Sequence, residues 1–220
     1  MPRACLTRAL VLLAVVACSE APTGGSTPPT SIRIDGNNVG PSDGLVFITQ
    51  GGQSVTDASV TVTANGSAAT PTNGGYYWQL GTPLAAGATL TVQATRLGAS
   101  ATVVGTLPAT PVITAPAPDA PVTIGTPLTV TWTSASDPAY FVVHLGYRVG
   151  NTGTSVSDSV AGHARAVDLA TTAIPAGATN LEVDIRAVGS ESRSGDVTTD
   201  SKLRLHAATE NRALTLNAGP

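Results

Sequence analysis

The side chains able to do chemistry are few in this chain of 220 residues, and their spacing limits what each could do. Cysteine occurs twice, as Cys5 and Cys18, and Cys18 directly follows Val15-Val16-Ala17. Three histidines, His144, His163 and His206, stand far apart, without the close His, Cys or carboxylate spacing that zinc and iron sites use. They read as surface or loop residues, and no metal is expected. Asp35, Asn37 and Asp43 could offer oxygens to calcium from one loop, but the EF-hand order is missing and no Glu completes the set. Asx and Gly residues in such positions normally serve turns. No GxSxG elbow, SxxK pair or Walker loop occurs, so nucleophilic and phosphoryl-transfer chemistry lack their local geometry. The chain is expected not to be an enzyme and to need no cofactor. One aromatic cluster remains, Tyr76-Tyr77-Trp78, with Tyr76, Trp78 and Leu80 on one face of a strand and Tyr77 with Gln79 on the other. Tyr77 and Trp78 are the candidate ligand-binding residues, able to stack on sugar rings. The competing use of such a cluster is to fill a small core and leave one ring at the surface.

Arg3 and Arg8 precede an uncharged run from Ala9 to Ala17, the layout of a secretory signal. As a helix that run would span about 14 Å against roughly 30 Å of hydrocarbon, too little for a permanent transmembrane segment. Small Ala17 before Cys18, with apolar Val15 and Val16 upstream, resembles the lipobox of bacterial lipoproteins. That resemblance implies cleavage before Cys18, a diacylglycerol thioether on its sulfur, and a membrane partner held through the lipid. Val15 and Ala17 would also suit an ordinary small-residue cleavage site. Cys5 falls inside the leader, so Cys18 is the sole thiol of the mature chain, and lipidation accounts for a single cysteine in an exported protein. In the lipoprotein family, Ser19 rather than Asp after the cysteine favours the outer membrane. The expected location is the bacterial cell envelope, at the outer membrane or cell surface.

These observations divide the chain into a signal peptide, 1–17, and a tether, 18–30. The tether is rich in Pro, Gly and Thr, lacks apolar periodicity, and reaches about 20 Å as a flexible coil. Fourteen acidic against eleven basic residues give a net charge of −3, and losing Arg3 and Arg8 makes the mature chain more acidic still. No basic stripe appears along the sequence, so nucleic acid is a poor partner. With 42% hydrophobic residues, 23 Gly and 16 Pro, the composition fits β-structure with many turns rather than disorder.

The fold class is all-β, with two tandem immunoglobulin-like β-sandwich domains over 31–107 and 108–220. In the first, Ile32-Arg33-Ile34, Leu45 to Thr49, Val60 to Thr63, Tyr76 to Leu80, Leu90 to Ala94 and Ala101 to Val104 read as strands. Asn65-Gly66 and Asn73-Gly74 mark tight turns. The strings Val55 to Val62, Gly75-Tyr76 and Ala86 to Val92 resemble small bacterial surface sandwiches of the carboxypeptidase-regulatory or immunoglobulin-like kind. Pro108, Pro111, Pro116, Pro118 and Pro121 exclude helix from the linker. Beyond them, Leu128 to Thr133, Phe141 to Tyr147, Val167 to Leu169, Leu181 to Ala187, Leu203 with Leu205, and Leu214 with Leu216 keep a two-residue period. The strand around Trp132, then Pro175 to Thr179 and Leu181 to Val188, resembles the fibronectin type III pattern, with Leu181 where that family usually has Tyr. The expected role is a non-enzymatic, lipid-anchored spacer or protein-interaction module, with an envelope protein as partner. The alternative is a carbohydrate-binding surface lipoprotein whose partner is a polysaccharide.

Overall fold

The computed structural model describes residues 31–217, so the leader, Cys18 and the tether lie outside the described residues. All regular structure among the described residues is β. The first half holds β1 (Ile32–Val39), β2 (Asp43–Gln50), β3 (Gln53–Ser54), β4 (Val60–Ala64), β5 (Ser67–Ala68), β6 (Thr70–Thr72), β7 (Gly75–Gln79), β8 (Thr89–Arg96) and β9 (Ala99–Thr106). The second holds β10 (Val112–Ala115), β11 (Pro121–Thr123), β12 (Leu128–Thr133), β13 (Tyr140–Val149), β14 (Thr152–Ala161), β15 (Ala166–Leu169) and β16 (Thr179–Val188). It ends with β17 (Glu191–Gly195), β18 (Lys202–Ala208) and β19 (Arg212–Asn217).

Alternation sets the faces. In β13, Phe141, Val143, Leu145 and Tyr147 are buried, and in β16 so are Leu181, Val183, Ile185 and Ala187. The turn residues take the conformations their types favour: Asn65 and Gly66 both have positive φ, which closes β4 onto β5 in a tight hairpin.

The second sandwich sets a three-stranded sheet, β10-β12-β15, against a sheet in which β14, β13, β16, β19 and β11 lie side by side. This is the immunoglobulin-like arrangement, with A, B and E facing C′, C, F and G. Trp132 from β12 meets Phe141 from β13 edge-on between the sheets, with centroids 5.2 Å apart. Tyr147 donates its hydroxyl to the carbonyl of Ala173 at 3.2 Å and so fixes the connection leading into β16 from strand β13, a job the tyrosine corner does from the F strand in related sandwiches. Arg212 donates to the carbonyls of Ile113 and Pro116 at 2.8 and 2.7 Å, tying the proline-rich linker to β19.

The first sandwich is completed by strands from far down the chain. Its two sheets are β18-β1-β2-β7-β6 and β17-β9-β8-β4-β5. Leu203 and Leu205, read in sequence as part of the second sandwich, are fully buried in one core with Ile32, Val46, Trp78 and Val103. The excursion β17–β18 is the F-to-G connection of the second sandwich, sent out to cover the edges of the first. β17 pairs antiparallel with β9, through Glu191↔Gly105 and Ser192↔Val104. β18 begins parallel to β1, through Asp35↔Lys202 and Gly36↔Leu203, and ends antiparallel to β16, through Val188↔His206 and Ala187↔Ala207. One strand therefore belongs to both sandwiches.

The crossing is tight. A Cβ on Gly189 would lie 1.7 Å from the Thr106 carbonyl oxygen, and one on Gly105 would lie 2.4 Å from Cδ1 of Leu205. Gly189 donates to Leu205 O at 2.9 Å, and Thr106 donates to Ser190 O at 3.0 Å. Ser201, fully buried, accepts from the amide of Ile34 at 3.0 Å, and the Glu191 carboxylate accepts from the amide of Leu203 at 2.7 Å. A Gly189→Ala substitution pushes a methyl group into backbone and is expected to cost about 2 kcal/mol or more, read as a lowered urea midpoint; an unchanged midpoint contradicts the close approach.

Candidate ligand-binding face

Because β18 joins both sandwiches, one sheet runs without a break through β6, β7, β2, β1, β18, β16 and β13 to β14. Residues directly paired across strands share a face. The pairs Leu45↔Tyr77, Asp35↔Phe47, Asp35↔Lys202, Val188↔His206 and Val142↔Arg186 thus place side chains from both halves on one outer surface.

At one end of this surface lie Tyr77, 38% exposed, and Phe47, 44% exposed. Gly75 makes room for them: a Cβ there would touch Leu45 at 3.1 Å and Phe47 at 3.3 Å, so both side chains lie across the glycine beside Tyr77. The Tyr77 hydroxyl donates to Asp43 Oδ2 at 3.2 Å, and its pKa is raised by burial and then by that bond. Trp78 points the other way. It is 2% exposed, and its ring covers Gly44 so closely that a Cβ there would sit 2.3 Å from Cζ2. Its buried indole N–H has no hydrogen-bond partner among the described residues. Trp78 is therefore a core residue and offers no ring to a ligand, which corrects the pairing of Tyr77 with Trp78 expected from sequence. Phe47 takes that place. Alternation carried the signal, since Val46 and Ile48 inward require Phe47 outward.

The two carboxylates considered for calcium have other partners. Asp35 accepts from Arg33 at 2.9 Å and from the Asn37 side chain, and Asp43 accepts from Tyr77. Among the described residues no three His, Cys, Asp or Glu side chains form a group that could hold a metal.

Where the sandwiches meet, the same face dips into a pocket of about 220 Å³ lined by Asn37, Tyr140, Val142, His144, Arg186, Val188, Arg204 and His206. Two histidines distant in sequence come together here with two arginines, while His163 sits in the turn after β14, away from them. Among the described residues no carboxylate lines the pocket, and Asp35 accepts from the Asn37 side chain at its edge. Asp184 reaches Arg186 Nε at 3.5 Å, and Arg204 has no carboxylate partner among the described residues. Burial, and then the Arg186 charge, lower the pKa of His206 below its ordinary 6.5, which keeps the ring neutral at pH 7. A second, more open trough of about 510 Å³ continues along β13, β14 and β16, over Gly146, Arg148, Ser155 and Glu182. Arg186, Arg204, His144 and His206 did not stand out in the sequence as a set. Their only signal was outward alternation against buried neighbours such as Leu203 and Leu205.

No protein family matches the chain, and no curated protein matches it. Among solved structures, the fibronectin(III)-like modules of Clostridium thermocellum CbhA share 15% identity over 84% of this chain and 92% of that one, with a TM-score of 0.28. The FN1–FN3 domains of chicken CNTN1 share 9% identity over 86% of this chain and 66% of that one, with a TM-score of 0.26. The immunoglobulin-like assignment rests on the strand order of the second sandwich.

His206 gives a direct check on the pocket. As pH falls below 6.5 the unfolded chain takes the proton before the folded one does, so this residue lowers stability in acid. An NMR titration of its ring is expected to show a midpoint below 6.5, moved upward by Arg186→Gln; a midpoint at or above 6.5 contradicts the geometry.

Proposed function

We propose that this chain is a non-enzymatic, lipid-anchored protein of the bacterial cell envelope that acts as a spacer or protein-interaction module. The observation that carries this reading is the shared strand β18, which makes two sandwiches into one body with a single broad outer face. Domains joined by a plain linker move relative to one another by default, whereas continuous sheet pairing holds their surfaces in fixed register. A rigid face is what a display or docking element needs. Support for the address comes from Arg3, Arg8, the apolar run to Ala17, and Cys18 as sole mature thiol, followed by a stretch rich in Pro, Gly and Thr. Two or more acyl chains, at about 0.8 kcal/mol per buried methylene, hold such a protein stably.

A second reading, a carbohydrate-binding surface lipoprotein, is favoured by one feature, the exposed Tyr77 and Phe47 beside each other on that face. Aromatic rings with one face open to water suit stacking on sugar rings.

Anchoring is tested by metabolic palmitate labelling and membrane fractionation. The wild-type chain is expected to be labelled and to sediment with membranes, and Cys18→Ser to lose both properties. An unlabelled wild type, or a Cys18→Ser chain that still sediments, removes the lipid from the account.

A further inference from the structure

We propose that the junction pocket binds the carboxylate of an acidic sugar, a uronate, within an oligosaccharide that crosses the sheet toward Tyr77 and Phe47. This deepens the carbohydrate reading and rests on it, but it is independent of the lipid anchor.

The charge arrangement calls for an anion. In a chain of net charge −3, Arg186 and Arg204 are brought to one pocket whose lining holds no carboxylate. Asp184 offsets the charge of Arg186, so the guanidinium that stands without a counter-charge among the described residues is that of Arg204. Arg186 meets Asp184 through Nε, which leaves its terminal nitrogens for a ligand, and Arg204 has no carboxylate partner among the described residues. The planar fork of arginine matches a carboxylate with two parallel N–H donors.

The remaining lining suits a sugar rather than a bare ion. Asn37 brings an amide, Tyr140 a hydroxyl and His206 a neutral imidazole, groups that exchange hydrogen bonds with sugar hydroxyls. Val142 and Val188 supply an apolar floor for ring C–H groups. At about 220 Å³ the pocket lies below the roughly 300 Å³ of drug-sized sites and fits a single ring. From β18 to β7 the sheet spans three strand spacings, about 14 Å, so a ligand of several units reaches the aromatic end from the pocket. The carboxylate sets orientation at one end, and stacking on Tyr77 adds affinity at the other.

The test is calorimetric titration of the detergent-solubilised full chain with oligogalacturonate, a neutral oligogalactan of equal length, and oligoglycerol phosphate. Oligogalacturonate is expected to bind at least about tenfold more tightly than the neutral sugar, and Arg204→Gln or Arg186→Gln to weaken it by about tenfold. Equal binding of acidic and neutral sugars, indifference to both arginine substitutions, or tighter binding of the phosphate polymer overturns the proposal. If acidic and neutral sugars bind equally and Tyr77→Ala abolishes both, the carbohydrate reading survives and the carboxylate site does not. If no sugar binds, both fall, while the behaviour of Cys18→Ser in membranes is untouched.

Discussion

The structure depends on one strand pairing on both sides of a domain junction. Lys202 to Leu205 run parallel to β1 in the first sandwich, and His206 to Ala208 run antiparallel to β16 in the second. Without the two lent strands, β17 and β18, β9 and β1 would both present unpaired backbone at the same side of the first sandwich, the kind of edge that invites aggregation. Leu203 and Leu205 would also be missing from its core, at about 1.5–3 kcal/mol each for full burial. The entropic cost of so long a connection grows only with the logarithm of its length, so extending the F-to-G link is cheap beside what it covers. Room for the crossing comes from two glycines, Gly189 against Thr106 and Gly105 against Leu205, where any side chain would collide.

The same pairing determines what surface the protein presents. Two sandwiches on a string would offer two small faces in variable relation. Continuous hydrogen bonding from β6 to β14 instead lays Tyr77 and Phe47 from one half and His144 and Arg186 from the other onto a single sheet. The junction pocket exists only because β18 carries Arg204 and His206 between elements of both halves. Fold and candidate site thus have a common cause. The tether and the lipid, as proposed, would set where this face is displayed and would leave its shape alone.

Much of the local structure was legible because strand physics is local. Two-residue alternation identifies the inward sides of β13 and β16, and Asn65-Gly66 marks a turn that only positive φ can make. Alternation also separates Tyr77 from Tyr76 and Trp78, and the burial of Trp78 follows from the face it shares with Tyr76. The partner of each strand was not legible. Leu203 and Leu205 announce a buried face but say nothing about which core buries it, since period two encodes orientation and not destination. Proximity in sequence favoured the second sandwich, and the packing places them in the first. The arginine and histidine cluster was hidden for the same reason: His144 and Arg204 become neighbours only through a pairing between distant strands.

The central claim is that the two sandwiches are one cooperative body. The chain has two tryptophans, Trp78 buried in the first core and Trp132 in the second, so each half carries its own fluorescent reporter. Urea unfolding of Trp132→Phe follows the first core, and unfolding of Trp78→Phe follows the second. With Leu203→Ala added to each, the account predicts that both reporters shift to lower urea together, because the strand lost to one sandwich is also paired in the other. A shift seen by Trp78 alone, with Trp132 unfolding at its original midpoint, would contradict it.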